Sequence, residues 1–232
     1  MTRADWIGVV SVVIGIPGLL VVFFTPYWAV GVLIVALLLV IGGASVIVKR
    51  AVTRPQFMMD NVSVQLVVHD VNGIKATLSK CYTAVPQYGH IDAMTHRNIG
   101  ADGAITGFKW NDHPVDPSWV QTSAGQYSVN VRFPGPLQQH GRYNWTLSYE
   151  ADNSFLGHQE SLYYVVDFPA KEVTISVTLP VSRAPRSAHC YLVEGAAKKA
   201  LKDPAIHHQS GTISVRIKKP RVGSEYEIAW QW

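Results

Sequence analysis

The feature that most constrains this chain is an uncharged segment close to its amino terminus. From Trp6 to Val48 the sequence contains no Asp, Glu, Lys, Arg or His, whereas about a quarter of the residues in an average globular domain are charged. A soluble domain does not bury so long a run without a charged side chain. The sequence therefore excludes a wholly soluble protein and predicts membrane-spanning elements.

A three-residue turn, Thr25-Pro26-Tyr27, divides this segment into two predicted helices. At about 1.5 Å per residue, residues 6–24 and 28–48 are each long enough to cross a hydrocarbon core of about 30 Å. A signal peptide is the weaker alternative for the first helix, because no basic region precedes it and no cleavage site follows. We therefore predict a two-helix transmembrane hairpin in residues 1–54 and a second domain in residues 55–232.

Basic residues at the ends of the hairpin predict its orientation. Arg3 precedes the first helix, and Lys49, Arg50 and Arg54 follow the second, whereas the turn is uncharged. The positive-inside rule then places both termini and the second domain in the cytoplasm. Lys49, Arg50 and Arg54 also predict a membrane anchor that contacts anionic lipid headgroups.

Small residues recur on one face of each predicted helix, where they would allow close helix packing. The packing residues are Gly8, Ser11, Gly15 and Gly18 in the first helix, with Pro17 as a kink, and Ala29, Ala36 and Gly43 in the second. The stripes predict either packing within one hairpin or self-association of several hairpins. A pore built from them would be apolar and would open by wetting of a hydrophobic constriction.

After Pro55 the apolar residues alternate with period two, which is typical of β-strands. Asn72-Gly73 between two apolar runs predicts a β-hairpin, with Asp70 opposite Lys75. Further strands are predicted at 104–110, 126–133, 143–150, 161–168, 172–179, 188–193, 212–219 and 224–231. About ten short strands predict an antiparallel β-sandwich, immunoglobulin-like, or a β-barrel, with 196–202 as a short helix.

The segment Pro86–Trp119 is predicted to be a loop rich in His and Asp. Its candidate ligands, His90, Asp92, His96, Asp102, Asp112, His113 and Asp116, lack the spacing of a known metal site. We therefore favour a solvated connection over a metal or ligand loop, and we predict no metal and no cofactor. Cys81 and Cys190 are predicted to be reduced thiols. No phosphate loop, nucleophile elbow or paired catalytic motif is present, so we do not expect an enzyme.

The second domain is nearly neutral, but its positive charge is concentrated in residues 183–221. If the last two strands form a hairpin, Lys218 would face Glu225 and Arg216 would face Glu227, and both cations would be neutralised. The remaining cations are predicted to bind an anionic nucleotide: Arg183, Arg186, Lys198, Lys199, Lys202, Lys219 and Arg221. The alternatives are binding to anionic lipid and a solvated basic edge.

The order of these features, a short amino terminus, two membrane helices joined by a minimal turn and a β-rich domain, resembles the two-transmembrane β-domain effectors of bacterial CBASS-type anti-phage systems. It is also similar to the channel effectors of related nucleotidyltransferase-linked systems. The resemblance covers the architecture of the whole chain and includes no signature motif. It implies a homo-oligomer whose β domain binds a nucleotide second messenger and whose helices permeabilise the membrane.

The sequence thus leads to two functional hypotheses. The first is an inner-membrane effector of anti-phage defence, in which a nucleotide or short oligonucleotide controls pore formation or ion conduction by the hairpins. The second is a membrane-anchored β-sandwich module that docks a protein partner and conducts no ions.

Overall fold

The computed structural model describes residues 31–41, 55–123, 126–201, 204–207 and 210–232. The chain divides into two compact units, Met1–Arg54 and Pro55–Trp232. In the first unit a helix, α1, covers residues 31–41, and Ala36 lies on it as an exposed residue. The second unit contains the β-sheets.

Within the described residues, no helix is both long enough and apolar enough to span a membrane. This finding corrects the predicted two-helix membrane hairpin, and with it the predicted ion channel and inner-membrane location. The predicted first helix lies outside the described residues, as do Gly8, Ser11, Gly15, Pro17, Gly18, Ala29, Gly43, Lys49, Arg50 and Arg54.

The second unit is built from strands, which confirms the predicted β-sheet class. Its described strands are β1 (Phe57–Val68), β2 (Lys75–Pro86), β3 (Ile91–Ile99), β4 (Ala104–Trp110), β5 (His113–Pro114), β6 (Val120–Ser123), β7 (Gln126–Leu137), β8 (Tyr143–Asp152), β9 (Gln159–Val165), β10 (Glu172–Thr178), β11 (Ser187–Glu194), β12 (Ala197–Ala200), β13 (Ala205–His207), β14 (Thr212–Lys218) and β15 (Glu225–Gln231). Two short 3-10 helices, η1 (Pro117–Trp119) and η2 (Val181–Arg183), connect them.

These strands form three sheets. The largest has the order β13-β14-β10-β1-β2-β8-β4-β5, the second β12-β11-β15-β9 and the third β3-β7-β6. The β1–β10 pair is parallel, whereas neighbouring strands such as β1 and β2 run antiparallel. Three sheets, one of them mixed, replace the two-sheet immunoglobulin-like or barrel arrangement predicted from the sequence.

The core lies between the large sheet and the two smaller sheets. In β1 the buried and exposed positions alternate from Val62 to Val68, as expected for a strand with one face inward. Rings from the facing layers meet there: the centroids of Trp145 on β8 and Phe133 on β7 lie 5.5 Å apart. The opposite face of the large sheet is lined by hydroxyl, amide and charged side chains.

The Asp70–Lys75 turn confirms the predicted first hairpin and shifts its register by one residue. Val68 pairs with Ala76, which brings position 70 opposite position 74. The Asp70 carboxylate accepts hydrogen bonds from the backbone N–H groups of Asn72, Ile74 and Lys75, at 2.9, 3.2 and 2.7 Å. Its role is to satisfy the turn backbone, not to pair with the Lys75 ammonium.

Three other local predictions are wrong. Strands β14 and β15 lie in different sheets, so the predicted hairpin of the last two strands does not form. Residues 197–200, predicted to be helical, form β12 and pair with β11. Besides the predicted strand at 104–110, the predicted loop at 86–119 contains β3, and His96 on β3 is fully buried.

Candidate ligand sites on the β-sandwich

Arg183, a predicted anion ligand, is engaged in contacts within the sandwich. Its guanidinium donates hydrogen bonds to the carbonyl oxygens of Val71 at 2.7 Å and Gly157 at 2.9 Å. It also lies 3.5 Å from the ring centroid of Trp232, whose indole N–H donates to the same Gly157 oxygen at 2.6 Å. These contacts tie η2 to two loops and use one donor of each terminal nitrogen within the protein.

Lys198, a second predicted ligand, forms an ion pair with Glu227. Its Nζ lies 2.7 Å from one carboxylate oxygen and 2.9 Å from the other, and the hydroxyl of Tyr163 donates to Glu227 at 2.9 Å. The hydrogen bond that the Lys198 ammonium donates to Glu227 raises the pKa of Lys198. Glu227 is only 3% exposed, so this pair neutralises a carboxylate that would otherwise be buried alone.

The other predicted ligands are spread over the sandwich. Arg186 precedes the start of β11, whereas Lys199 pairs opposite Leu192 near its other end, roughly 20 Å away along the strand. Lys219 and Arg221 are exposed in the connection between β14 and β15. Lys202 lies outside the described residues. The structure therefore does not gather this predicted set around one ligand.

A different group of cations meets at one corner of the large sheet. The Asp60 carboxylate lies 2.7 Å from Nζ of Lys171 and 3.4 Å from the guanidinium of Arg142. The backbone N–H of Lys219 donates to the carbonyl of Lys171 at 2.8 Å, which brings a third cation to this corner. The hydrogen bond from Lys171 lowers the pKa of Asp60, so this carboxylate stays ionised.

Two cations on β14 extend this corner. Arg216 lies 2.6 Å from Glu172, and Lys218 is the register partner of the same residue. Five basic residues thus surround two carboxylates, and the surplus charge is positive. We call this surface the basic corner; it comprises Arg142, Lys171, Arg216, Lys218 and Lys219.

A polar depression of ≈ 320 Å³ adjoins the basic corner on the outer face of the sheet. Two rows of register partners line it, Asn61–Thr83–Asn144 and Ser63–Cys81–Thr146, together with Asn111. Asp60 directly precedes Asn61, and Arg142 stands two residues before Asn144. The cations therefore lie at one end of a surface whose floor offers amide and hydroxyl groups.

Several of these groups are already oriented by contacts with one another. The Thr83 hydroxyl donates to the Asn144 amide oxygen at 2.8 Å, and the Asn111 side chain accepts from the backbone N–H of Thr146 at 2.8 Å. Such fixed amides can present their remaining donors and acceptors to a polar ligand without first being ordered.

A second candidate ligand-binding region lies where the two smaller sheets meet. Strands β3 and β9 are edge strands of their sheets, and the Asn98 side chain donates to the Asp167 carboxylate at 2.9 Å across the gap between them. We call this gap the seam. Lys80 of β2 lies beneath it, 5% exposed, with its ammonium 5.7 Å from the ring centroid of Tyr164.

The charges at the seam perturb each other. Burial lowers the pKa of Lys80 and raises that of Asp167, and each group partly offsets the shift of the other by its opposite charge. A groove of ≈ 540 Å³ opens beside Asp167 and follows β3 from Asp92 to Arg97. Perturbed charges at a groove are typical of binding sites, although buried ion pairs also occur as structural elements.

Local sequence patterns indicate neither region as a whole. Arg142 and Lys171 have no basic neighbour within the two residues on either side except His140, and only the order of strands in the large sheet brings them to Lys219, which was a predicted ligand. Lys80 stands at a position of the period-two pattern that points inward, and a lysine among inward-facing residues is the one signal that could have indicated the seam.

No protein-family model and no curated protein matches the sequence. Among solved structures, the chain is similar to an M1 zinc metallopeptidase from Deinococcus radiodurans, with 13% identity and a TM-score of 0.38 over 75% of this chain and 42% of that chain. It is also similar to a putative nutrient binding protein from Legionella pneumophila, with 10% identity and a TM-score of 0.47 over 75% of this chain and 67% of that one. The chain spans less than half the length of the peptidase.

Proposed function

We propose that the β-sandwich is a sensor that binds a phosphate-bearing ligand, a nucleotide or short oligonucleotide, at the basic corner and the polar depression. The observation that carries the proposal is the sharing of one carboxylate, Asp60, by Arg142 and Lys171. A single acid fixes both cations and leaves a surplus of positive charge at the end of a polar floor.

The two parts of this surface suit the two parts of a nucleotide. Phosphate oxygens accept hydrogen bonds from guanidinium and ammonium groups, which are stronger than bonds between neutral groups. Sugar hydroxyls and base edges exchange hydrogen bonds with amides and hydroxyls of the kind contributed by Asn61, Thr83 and Asn144. Both sides of the site are solvent-exposed, so the affinity should fall as the salt concentration rises.

The role in anti-phage defence, the link to a nucleotidyltransferase pathway and the assembly into a homo-oligomer remain predictions that follow from the resemblance. Under this proposal the ligand is the signal, and assembly is its consequence. Light scattering on the full chain with and without nucleotide would measure that assembly. The predicted lipid contact depends on Lys49, Arg50 and Arg54, which lie outside the described residues.

Calorimetric titration of the full chain with ATP, a cyclic dinucleotide and a short single-stranded oligonucleotide tests the proposal. Lys171→Gln and Arg142→Gln should each weaken binding of the preferred ligand about tenfold, the value of one charge-assisted hydrogen bond. Arg186→Gln is the matched control, because it removes an exposed cation from another part of the sandwich. Equal binding by all three variants and the wild type would contradict the assignment.

Replacement of the floor separates recognition of phosphate from recognition of the nucleoside. Asn144→Ala should weaken binding of the nucleotide but leave binding of inorganic phosphate unchanged, because only the nucleoside part contacts the amide. If Asn144→Ala weakened the binding of nucleotide and of inorganic phosphate alike, the variant would disturb the basic corner itself.

A protein-docking module is the second candidate, and the free edge of β3 favours it. This edge faces the ≈ 540 Å³ groove, and an extended peptide can add to such an edge through its main chain. Chemical crosslinking of the full chain in a cell lysate, with Thr95→Pro to block the edge, would distinguish peptide docking from nucleotide sensing, which Thr95→Pro should leave intact.

A further inference from the structure

The free edge of β9 differs from the other sheet edges that the structure describes. The strands at the edges of the three sheets are β3, β5, β6, β9, β12 and β13. Strands β5, β6, β12 and β13 have two to four described residues each, and short edges limit pairing with another chain. Strand β3 has nine residues, but its register with β7 shifts twice. Strand β9, with seven residues, keeps an uninterrupted register with β15.

The hydrogen bonds to β15 show which main-chain groups of β9 are left unpaired. At one end of β9 the His158 carbonyl accepts from the Trp232 N–H at 3.3 Å, and at the other end the Val166 N–H donates to the Ser224 carbonyl at 3.0 Å. In an antiparallel pair, successive residues direct their N–H and C=O groups to opposite sides of the strand. The even-numbered residues of β9 therefore bond to β15, and the odd-numbered residues direct their main-chain groups to the free edge.

Three of these odd-numbered residues, Ser161, Tyr163 and Val165, line a groove of ≈ 380 Å³ beside the edge. Asn98 and residues 100–102 also line it, but no main-chain hydrogen bond joins them to β9 in the part of the chain that the structure describes. Strand β9 contains neither Lys nor Pro, two residues that prevent pairing at exposed edges. A regular row of main-chain donors and acceptors is thus left open to another strand.

We propose that the free edge of β9 binds an extended polypeptide segment of a partner protein, which adds to the four-stranded sheet as a further strand. Main-chain hydrogen bonds to Ser161, Tyr163 and Val165 supply the recognition, because donors and acceptors that alternate at strand spacing match the main chain of another strand. This edge belongs to a different sheet from the proposed nucleotide site and from β3, so the three surfaces can be tested separately.

The two faces of the sheet restrict the side chains of the partner segment, since residues paired on neighbouring strands point to the same face. Leu162 and Tyr164 are buried, so partner residues beside them would face the large sheet. Leu66 and Leu78, which line the groove there, are 1% and 6% exposed, which leaves room for small apolar side chains only. Partner residues beside Tyr163, which is 49% exposed, would face solvent. A segment that alternates small apolar and polar residues fits this edge.

Selection of a phage-displayed random heptapeptide library on the immobilised full chain tests the proposal. The selected peptides should alternate small apolar and polar residues, and calorimetric titration of the full chain should confirm that they bind. A library that yields no binding peptide, or peptides without this alternation, would overturn the proposal.

Variants locate the bound peptide. Ser161→Pro removes one N–H at the free edge and leaves the ladder to β15, because proline is tolerated where the N–H faces away from the sheet. It should weaken binding of the selected peptide at least about tenfold, the value of one hydrogen bond. Ser161→Ala keeps the N–H and is the matched control, and it should bind as the wild type does. Thr95→Pro on β3 should also bind normally; a loss of binding in Thr95→Pro alone would place the peptide on β3 and contradict the assignment.

Methylated peptides test the main-chain contacts in the wild-type protein. Two copies of the selected peptide carry N-methyl groups on alternate residues, one copy on the odd and the other on the even positions. In an added strand only one of these two sets of N–H groups donates to β9. One copy should therefore bind at least about tenfold more weakly than the unmodified peptide, and the other should bind nearly as well. Equal affinities of the two copies would exclude strand addition.

A second copy of this chain is the other possible occupant of the edge. Light scattering of the wild type and of Ser161→Pro, without nucleotide or peptide, distinguishes it from a partner protein. The two should have equal mass. Dissociation of a wild-type assembly by Ser161→Pro would assign the edge to self-association and overturn the proposal. ATP titration of Ser161→Pro reports on the nucleotide site independently, so failure of one proposal leaves the other open to its own test.

Discussion

At the scale of single residues, His96 is a polar group enclosed by aromatic rings. Its ring centroid lies 5.1 Å from that of Tyr82 and 5.5 Å from that of Trp110. Neither ring nitrogen has a hydrogen-bond partner among the described residues. Burial lowers the pKa of His96 from 6.5 to about 3, and the positive charge of Lys80 acts in the same direction. The folded protein therefore holds this imidazole neutral.

His96 should make the protein sensitive to acid. Its folded pKa, about 3, lies below the unfolded value of 6.5, so below pH 6.5 the unfolded state binds the proton and the folded state does not. The free energy of unfolding should be constant above about pH 6.5 and fall by up to about 1.4 kcal/mol per pH unit between 6.5 and 3. Urea denaturation across this range would measure the slope.

The variant His96→Phe keeps an aromatic ring and removes the titrating group. It should unfold with a weaker dependence on pH between 6.5 and 3 than the wild type. The control is His113→Phe, since His113 is exposed on β5. An unchanged slope in His96→Phe would assign the acid sensitivity to other groups.

The sequence could indicate which residues are charged but not what they contact. Arg183 was a candidate ligand because no acidic neighbour stands near it in sequence. Its actual partners are backbone carbonyls, and that of Val71 is 112 residues away. Carbonyl groups occur at every residue and leave no sequence signal, so an arginine that binds them is indistinguishable from a free one before the fold is known.

The Arg183 contacts lead to a second residue-scale prediction. Arg183→Lys keeps the charge but loses the planar fork that reaches Val71 and Gly157 and stacks on Trp232. We expect a loss of about 1–2 kcal/mol in the free energy of unfolding, the range of one or two net hydrogen bonds. Arg186→Lys should change it by less than about 0.5 kcal/mol because Arg186 is exposed. Chemical denaturation of both variants would measure these changes. Equal losses of unfolding free energy in Arg183→Lys and Arg186→Lys would contradict the role of the planar fork.

At the scale of elements, the period-two pattern located strands well and their partners poorly. Strand β4 has the bounds predicted from the sequence, 104–110, and β14 differs from its predicted range by one residue. The pattern predicts which side chains face inward, and it is the same whichever strands are neighbours in the sheet. It could not show that β14 pairs with β10 and β15 with β11.

Strand β12 shows a local preference that tertiary pairing overrides. Its sequence, Ala-Lys-Lys-Ala, consists of good helix formers. Lys198 nevertheless contacts Glu227 from this edge strand, and the ladder with β11 supplies the backbone hydrogen bonds. Neither the buried partner nor the ladder is visible in a window of a few residues.

The β1–β2 turn supports a prediction at this scale. Asp70→Ala removes the acceptor for three backbone N–H groups and should lower the free energy of unfolding by about 1 kcal/mol, the usual net value of such a bond. The loss stays this small because the turn is at the surface, where the three N–H groups can donate hydrogen bonds to water instead. Asp92→Ala on β3 is the control, because Asp92 is exposed and its side chain forms no hydrogen bond or ion pair with a described residue, and thermal or urea unfolding would compare the two. A smaller effect in Asp70→Ala than in Asp92→Ala would contradict this role.

At the scale of the whole molecule, the candidate sites lie where separate sheets or distant strands meet. The basic corner needs β1, β8, β10 and β14 in one sheet, and the seam needs β2 of the large sheet beside the edges of β3 and β9. The sequence predicted the β class, which the structure confirms, and an anionic ligand, which stays a prediction. Residues far apart in sequence converge only through strand order, which sequence periodicity does not specify.

The seam tests whether these layers act as one unit. Lys80 comes from the large sheet, and Asp167, which follows β9, bridges to β3 through Asn98. Removal of one of two interacting charges takes away the compensation of the other, whereas removal of both does not. Asp167→Asn should therefore destabilise the protein by about 1–2 kcal/mol, because the buried ammonium of Lys80 would lose the negative charge that partly offsets its burial.

The matching change Lys80→Met should also destabilise the protein, because Asp167 would then be left partly buried without the positive charge of Lys80. The double variant Lys80→Met/Asp167→Asn should recover much of the loss, with a coupling of about 1–3 kcal/mol in a double-mutant cycle measured by urea denaturation. Because the two residues belong to different layers, a coupling of this size would mean that the seam holds the sheets together electrostatically. Additive single losses would mean that the charges act independently and that apolar contacts alone join the layers.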